Sequence, residues 1–207
     1  MSRTQTIRKD ERQTNQPINI GDRAFDNLKF IRETMERSTV FTSVPGYGGI
    51  LMGATAIAAA FIANNQPSIR SWLTVWLTEA VLAFATGLFA LWQKSRISKT
   101  SLLSTPAKKL VLNSLPPMLC GVFITLGLWQ FGHFEVMIPT WIICYGAAVV
   151  CGGAFSVKVV PVMGWCFIAF GAIAFFLPAD FGNSLMAASF GVLHIIFGFI
   201  IGRKFGG

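Results

Sequence analysis

Six apolar runs of about 20 residues organise most of the chain, at roughly 44–63, 71–93, 110–131, 136–155, 159–177 and 184–201. A helix rising 1.5 Å per residue needs about 20 residues to cross a hydrocarbon core about 30 Å thick. The runs lack the alternation of a lipid-facing barrel strand, and bilayer interior offers backbone amides no water, so helices are the expected elements. Ahead of them the pattern changes twice. Residues 1–21 are rich in Gln, Thr, Asn and charge. They lack the apolar side chains that would offset ordering entropy, which predicts a disordered polar arm. Over 22–38, Ala24, Leu28, Ile31 and Met35 recur at helical spacing with Phe25 beside them, while Lys29/Glu33, Arg32/Glu36 and Glu33/Arg37 set opposite charges four apart. That spacing predicts an amphipathic helix, cytoplasmic or interfacial, with a linker to residue 43. Its apolar positions Phe25, Leu28, Ile31 and Met35 are candidates for covering the membrane interface, the bundle or a partner.

The expected fold class is therefore all-α, with a polytopic transmembrane helix bundle over 44–207. Composition agrees: 53% hydrophobic residues against 13% charged, with mean hydropathy +0.59, lie outside the usual soluble range. The basic residues then orient the bundle. Of 17 Lys and Arg, eight precede the first run, five follow the second (Lys94, Arg96, Lys99, Lys108, Lys109), Lys158 follows the fourth, and Arg203 and Lys204 end the chain. Only Arg70 falls on the other side. The positive-inside rule gives six spans with both termini cytoplasmic. Trp72, Trp76, Trp129 and Trp141 are expected toward the outer interface and Trp92 at the inner one. The net charge of +8 follows from topology, with contact to anionic lipid as a by-product, and calls for no direct nucleic acid binding.

No signal peptide is expected, since the residues before the first run are polar. Six acidic residues in the arm argue against an organellar transit peptide, so a bacterial inner membrane is the expected location. All four cysteines fall within predicted spans, which argues against disulfide stapling.

Helices in lipid associate by close backbone approach, so stripes of small residues mark contacts. Gly49, Gly53, Ala56 and Ala60 form one; Ala83, Thr86 and Ala90, Cys144, Ala148 and Cys151, Gly164 and Gly171, and Ala187, Gly191 and Gly198 form others. They predict tight packing without a wide pore and permit a homo-oligomer.

Two stripes carry an ionisable group near mid-membrane depth, Glu79 and His194. A charge there costs at least about 2.5 kcal/mol, which makes both functional candidates. The bland alternatives are a carboxyl bonded to Thr74, Thr78 or Thr86 and a neutral imidazole satisfied by a hydroxyl or backbone group. The sharper expectation is that the two pair as a proton-sensitive switch or part of a proton path. Lys158 is a candidate at the cytoplasmic end. Cys144, Cys151, Met163 and Cys166 suit packing better than Cu(I), His133 and Glu135 lack the further ligands of a metal site, and the two histidines make no obvious haem pair, so no metal or cofactor is expected. Walker, dinucleotide, nucleophile-elbow and zinc-protease motifs are missing. An odd number of spans per half permits inverted repeats, with Tyr47-Gly48 and Tyr145-Gly146 in corresponding positions. Pro116-Pro117 could break the third helix.

The runs Phe30–Arg37, Phe41–Gly48, Trp76–Ala80, Gly152–Gly164 and Leu193–Gly198 resemble a group of uncharacterised bacterial multi-pass membrane proteins, over residues about 25–207. That resemblance implies fold and membrane location and supplies no catalytic residues. Some members are encoded beside winged-helix regulators, which by analogy favours a signalling accessory. The expected function is a non-enzymatic sensor or regulatory accessory that engages a cytoplasmic protein partner through residues 22–38. The alternative is a small-solute or proton-coupled transporter using Glu79 and His194. A membrane enzyme is disfavoured because catalysis needs several convergent polar groups and this interior has few.

Overall fold

The computed structural model describes residues 20–38, 41–42, 44–99 and 101–205, and its chain divides into two units, Met1–Thr39 and Val40–Gly207. Every regular element among the described residues is helical.

The first unit contains α1 (Ile20–Ser38), which starts two residues before the expected Asp22. Phe25, Leu28, Ile31 and Met35 follow one another at steps of three and four along it, while Phe30 falls outside that stripe. Most of the arm expected to be disordered lies outside the described residues.

The second unit contains α2 (Gly46–Asn64), α3 (Ile69–Ile97), α4 (Thr105–Phe131), α5 (Met137–Gly153), α6 (Val159–Ala174), α7 (Gly182–Met186) and α8 (His194–Phe205). A π-helical stretch, Ala187–Leu193, joins α7 to α8 without a break. Short 3-10 turns, Phe134–Val136 and Ala179–Phe181, lead into α5 and α7. Five segments are long and apolar enough to cross a membrane: α2, α3, α4, Phe134–Gly153 and Ala179–Phe205. The α6 helix is a shorter apolar one. This is the architecture of a helical membrane bundle.

Local chemistry explains the ends. Ser68 and Ser71 form a reciprocal capping box at the start of α3, with Ser71 N donating to Ser68 Oγ at 3.2 Å and Ser68 N donating to Ser71 Oγ at 3.3 Å. Pro106 stands in the first turn of α4, where its missing N–H costs nothing, and Gly132 closes that helix at φ 76°, a left-handed cap suited to glycine. The α3 helix continues four residues past the apolar run, and α4 begins five residues before the next. The basic loop expected over 94–109 thus contracts to the few residues between Ile97 and Thr105. Lys94 and Arg96 suit that C-terminal turn because helix dipoles favour cations there. Pro116-Pro117 lies inside a continuous α4, so the third helix is not broken there.

Contacts sort the helices into two groups of three. The α2 helix lies between α3 and the α7–α8 segment, and α5 lies between α6 and α4. Small residues set both. A Cβ built on Gly53 would lie 2.5 Å from the Gly191 carbonyl, and one on Gly198 would lie 2.7 Å from the Gly46 carbonyl, so α2 and α8 meet backbone to backbone. The same holds in the second group, where a Cβ on Gly146 would lie 2.8 Å from the Gly164 carbonyl and one on Gly171 3.0 Å from Ile143 N. These pairings run antiparallel, and the predicted stripes are helix contacts.

The groups meet around Trp76, Ile142, Met163, Phe167, Met186 and Phe197, with Ile142 and Phe167 fully sealed. Large apolar side chains including Phe61, Val81, Phe84, Phe123 and Trp165 face outward. An apolar exterior around an equally apolar core suits lipid as the solvent.

Candidate functional site

Glu79 is buried on α3, against α2. Thr55 Oγ1, from α2, donates to Glu79 Oε1 at 2.8 Å and also lies 2.9 Å from the Met52 carbonyl, so one proton serves two acceptors. The partner comes from the neighbouring helix, not from Thr74, Thr78 or Thr86 on Glu79's own helix. Thr74 instead donates to the Arg70 carbonyl at 2.9 Å. Thr74 and Thr78 line, with Glu79 and Thr55, a shallow groove of about 350 Å³.

His194 opens α8 directly after the π-helical stretch and is buried. Its Nε2 lies 2.7 Å from the Tyr145 hydroxyl of α5. Phe167 stands edge-on to the imidazole at 5.3 Å, and Phe190 lies nearly parallel to it at 6.2 Å, so three aromatic rings enclose the histidine. Nδ1 is sealed from solvent and meets no acceptor at hydrogen-bonding geometry; the Phe190 carbonyl, four residues earlier, approaches it outside that geometry. Whether the phenol donates to Nε2 or, in the other tautomer, Nε2–H donates to the phenol oxygen, Nδ1 is the nitrogen left unmatched. Such an unmatched buried polar nitrogen costs about 1–3 kcal/mol, and π-bulges recur at functional sites. The polar reading of His194 as an imidazole satisfied by a hydroxyl therefore holds at one nitrogen only.

Glu79 and His194 bond to different partners, and α2 stands between the helices that carry them. The expected pairing of the two is not formed. Equal depth along two helices brings side chains together only if those helices are neighbours.

At the basic end, the residues entering α2 are tied on two sides. Lys94 Nζ donates to the Val44 carbonyl at 2.7 Å and to the Phe205 carbonyl at 3.2 Å. Phe41 N donates to the Phe155 carbonyl at 2.9 Å, and Ser156 Oγ donates to the Phe41 carbonyl at 2.9 Å. At this neck, Phe41 is thus held by the turn after α5 and Val44 by the end of α3, whose Lys94 also reaches the end of α8. Arg96, Arg203 and Lys109 sit over Trp92, Phe199 and Phe155 at 4.9, 4.9 and 5.6 Å. Lys158 is exposed at the start of α6.

At the opposite end, the indole N–H groups of Trp72 and Trp76 both donate to Asn183 Oδ1, at 2.8 and 3.2 Å. Trp72 stacks on Trp141 at 5.5 Å with 9° between planes, and Trp141 donates to Thr125 at 2.7 Å. Beside this cluster lies a half-open groove of about 510 Å³, walled by Trp72, Phe134, Pro139, Phe175 and Asn183, with Glu135 on its rim.

Sequence reasoning missed Thr55, Tyr145, Asn183 and the role of Lys94. One signal pointed to the first two: a hydroxyl within an apolar run must find a partner, because lipid offers none. Comparison with protein families, with curated proteins and with solved structures finds no match, so function is argued from the geometry.

Proposed function

We propose that the protein crosses the plasma membrane six times with both termini on the basic, cytoplasmic side, and acts as a non-enzymatic sensor or regulatory accessory. In this reading the bundle passes its state to a cytoplasmic protein through α1. The shorter α6 rises about 24 Å and is accommodated by local thinning of the bilayer. A bacterial inner membrane fits the polar N-terminal arm and the distribution of cations.

The observation that carries the reading is the neck. The neck joins α1 to the bundle, and three hydrogen bonds tie Phe41 and Val44 to the turn after α5 and to α3, whose Lys94 also bonds the Phe205 carbonyl of α8. The Lys94 bond comes from one group of three helices and the Phe155 and Ser156 bonds from the other, so a relative shift of the groups strains the neck. That supports coupling by geometry, with no reaction required.

Affinity capture with cross-linking from native membranes tests it, comparing the full chain, a variant lacking residues 1–38, and Lys94→Met combined with Ser156→Ala. A specific cytoplasmic protein lost with the arm, and altered in yield by the neck variant, supports the reading. Equal recovery from all three refutes it.

A second reading, a small-solute or proton-coupled transporter, is favoured by one observation. Exchanging the first three long helices for the last three maps the group α3, α2, α7–α8 onto the group α6, α5, α4, as two inverted halves would. The separate bonding of Glu79 and His194 gives it no continuous proton path. Solute flux in proteoliposomes that depends on either residue would favour it.

A further inference from the structure

The groove at the end opposite the basic neck has features that the sensor reading does not use. Its volume, about 510 Å³, falls in the range of small-molecule sites, about 300–1,000 Å³. Four stretches of chain contribute to it: the start of α3, the 3-10 turn before α5, the end of α6 and the 3-10 turn before α7. One wall is pre-organised. Asn183 Oδ1 receives two indole N–H groups, and indole nitrogen can only donate, so the side-chain amide has one orientation. Trp72 is held at its edge by Asn183 and on one face by Trp141, so what it offers the groove is a fixed aromatic surface. Phe134 and Phe175 add two more aromatic walls.

Carboxylates outnumber fixed cations at this end. Glu135 is the charged residue lining the groove, its side chain 57% exposed. His133 Nδ1 lies 3.5 Å from it, the one base within salt-bridge distance among the described residues. Asp180 adds a second carboxylate on the turn before α7, while lysine and arginine at this end reduce to Arg70. Aromatic faces attract cations through their quadrupole, and a carboxylate at the rim adds a Coulombic anchor.

We infer that this groove binds a lipophilic organic cation, its apolar body against Trp72, Phe134 and Phe175 and its charge toward Glu135. Such molecules concentrate at the membrane interface, to which the proposed topology assigns this end of the bundle. The inference is independent of any partner of α1.

Tetraphenylphosphonium and tetraphenylborate share shape and apolar surface and differ in the sign of their charge, so they separate recognition from partition into lipid. Saturable binding of each is measured by equilibrium dialysis on the full-length protein in phosphatidylcholine nanodiscs, above the level of empty nanodiscs. The expected result is a saturable component for the phosphonium, near one per chain, and none for the borate. Glu135→Gln weakens the phosphonium by at least fivefold, Leu177→Trp, which fills the groove, weakens it comparably, and His133→Ala binds at least as tightly as the native chain. Glu135 and Leu177 are exposed enough that both variants fold, which circular dichroism checks. Equal uptake of the two ions, or native phosphonium affinity in Glu135→Gln and Leu177→Trp, overturns the inference.

Discussion

Adding one methyl group at Gly53 tests the packing argument most directly. The new Cβ falls 2.5 Å from the Gly191 carbonyl and 2.7 Å from Ile195 Cγ1, where ordinary contact begins near 3.4 Å. The backbone oxygen cannot rotate away, so α2 and α8 must part by nearly 1 Å. A gap of that size forfeits a quarter to a half of each atom-pair attraction of about 0.1–0.2 kcal/mol. Spread along a seam that also includes Gly46, Gly49 and Gly198, the loss reaches the 1–3 kcal/mol typical of overpacking. Alanine returns about 0.5–1 kcal/mol as the better helix former, which leaves a net loss of about 1–2 kcal/mol for Gly53→Ala. The control is Gly127→Ala on α4, where a Cβ meets nothing within 4 Å. It gains that helix term without any clash. The same chemical change should therefore take opposite signs at the two sites, about 1.5–3 kcal/mol apart. Reversible unfolding by SDS in mixed micelles, followed by circular dichroism, measures both. If the two variants agree within about 0.5 kcal/mol, the α2–α8 seam is not held by backbone approach and the reasoning fails.

Three further outcomes follow from single hydrogen bonds and one torsion. Tyr145→Phe leaves both nitrogens of His194 without a good partner and should destabilise by about 1–2 kcal/mol in the same assay, with most of that effect absent in a His194→Phe background. Thr55→Val removes the donor to Glu79 at constant shape. It should cost up to about 1 kcal/mol, in keeping with interhelical bonds in membranes, and a loss above about 3 kcal/mol would show that the pair carries more than packing. Lys99 adopts φ 52° just after α3, so Lys99→Gly should be neutral or stabilising by up to about 1 kcal/mol while Lys99→Val destabilises; the reverse order would contradict the left-handed turn.

Much of the site was legible as residues and little of it as partners. Glu79 and His194 stand out in the sequence because lipid penalises ionisable groups, and both are buried as that argument requires. Their spacing along the chain supplies depth but not neighbourhood. Thr55 lies 24 residues from Glu79, and Tyr145 lies 49 from His194, and only the order of helices around the bundle brings them together. The π-helical stretch before His194 has no proline or glycine pair to announce it.

The sequence by itself determined the apolar helical segments, the polar break points, the gathering of cations and the small-residue faces. Each of these is a one-dimensional property: a run long enough for a bilayer, a charge that cannot cross it, a glycine every third or fourth position. Tertiary structure decided which faces meet, and with that the separation of Glu79 from His194, the neck held by Lys94 and Ser156, and the groove beside Trp72 and Asn183. The physical reason is that lipid, being as apolar as the helix surfaces, does not select one partner over another. That choice falls to shape and to the few polar groups that must find each other, and both depend on all the helices at once.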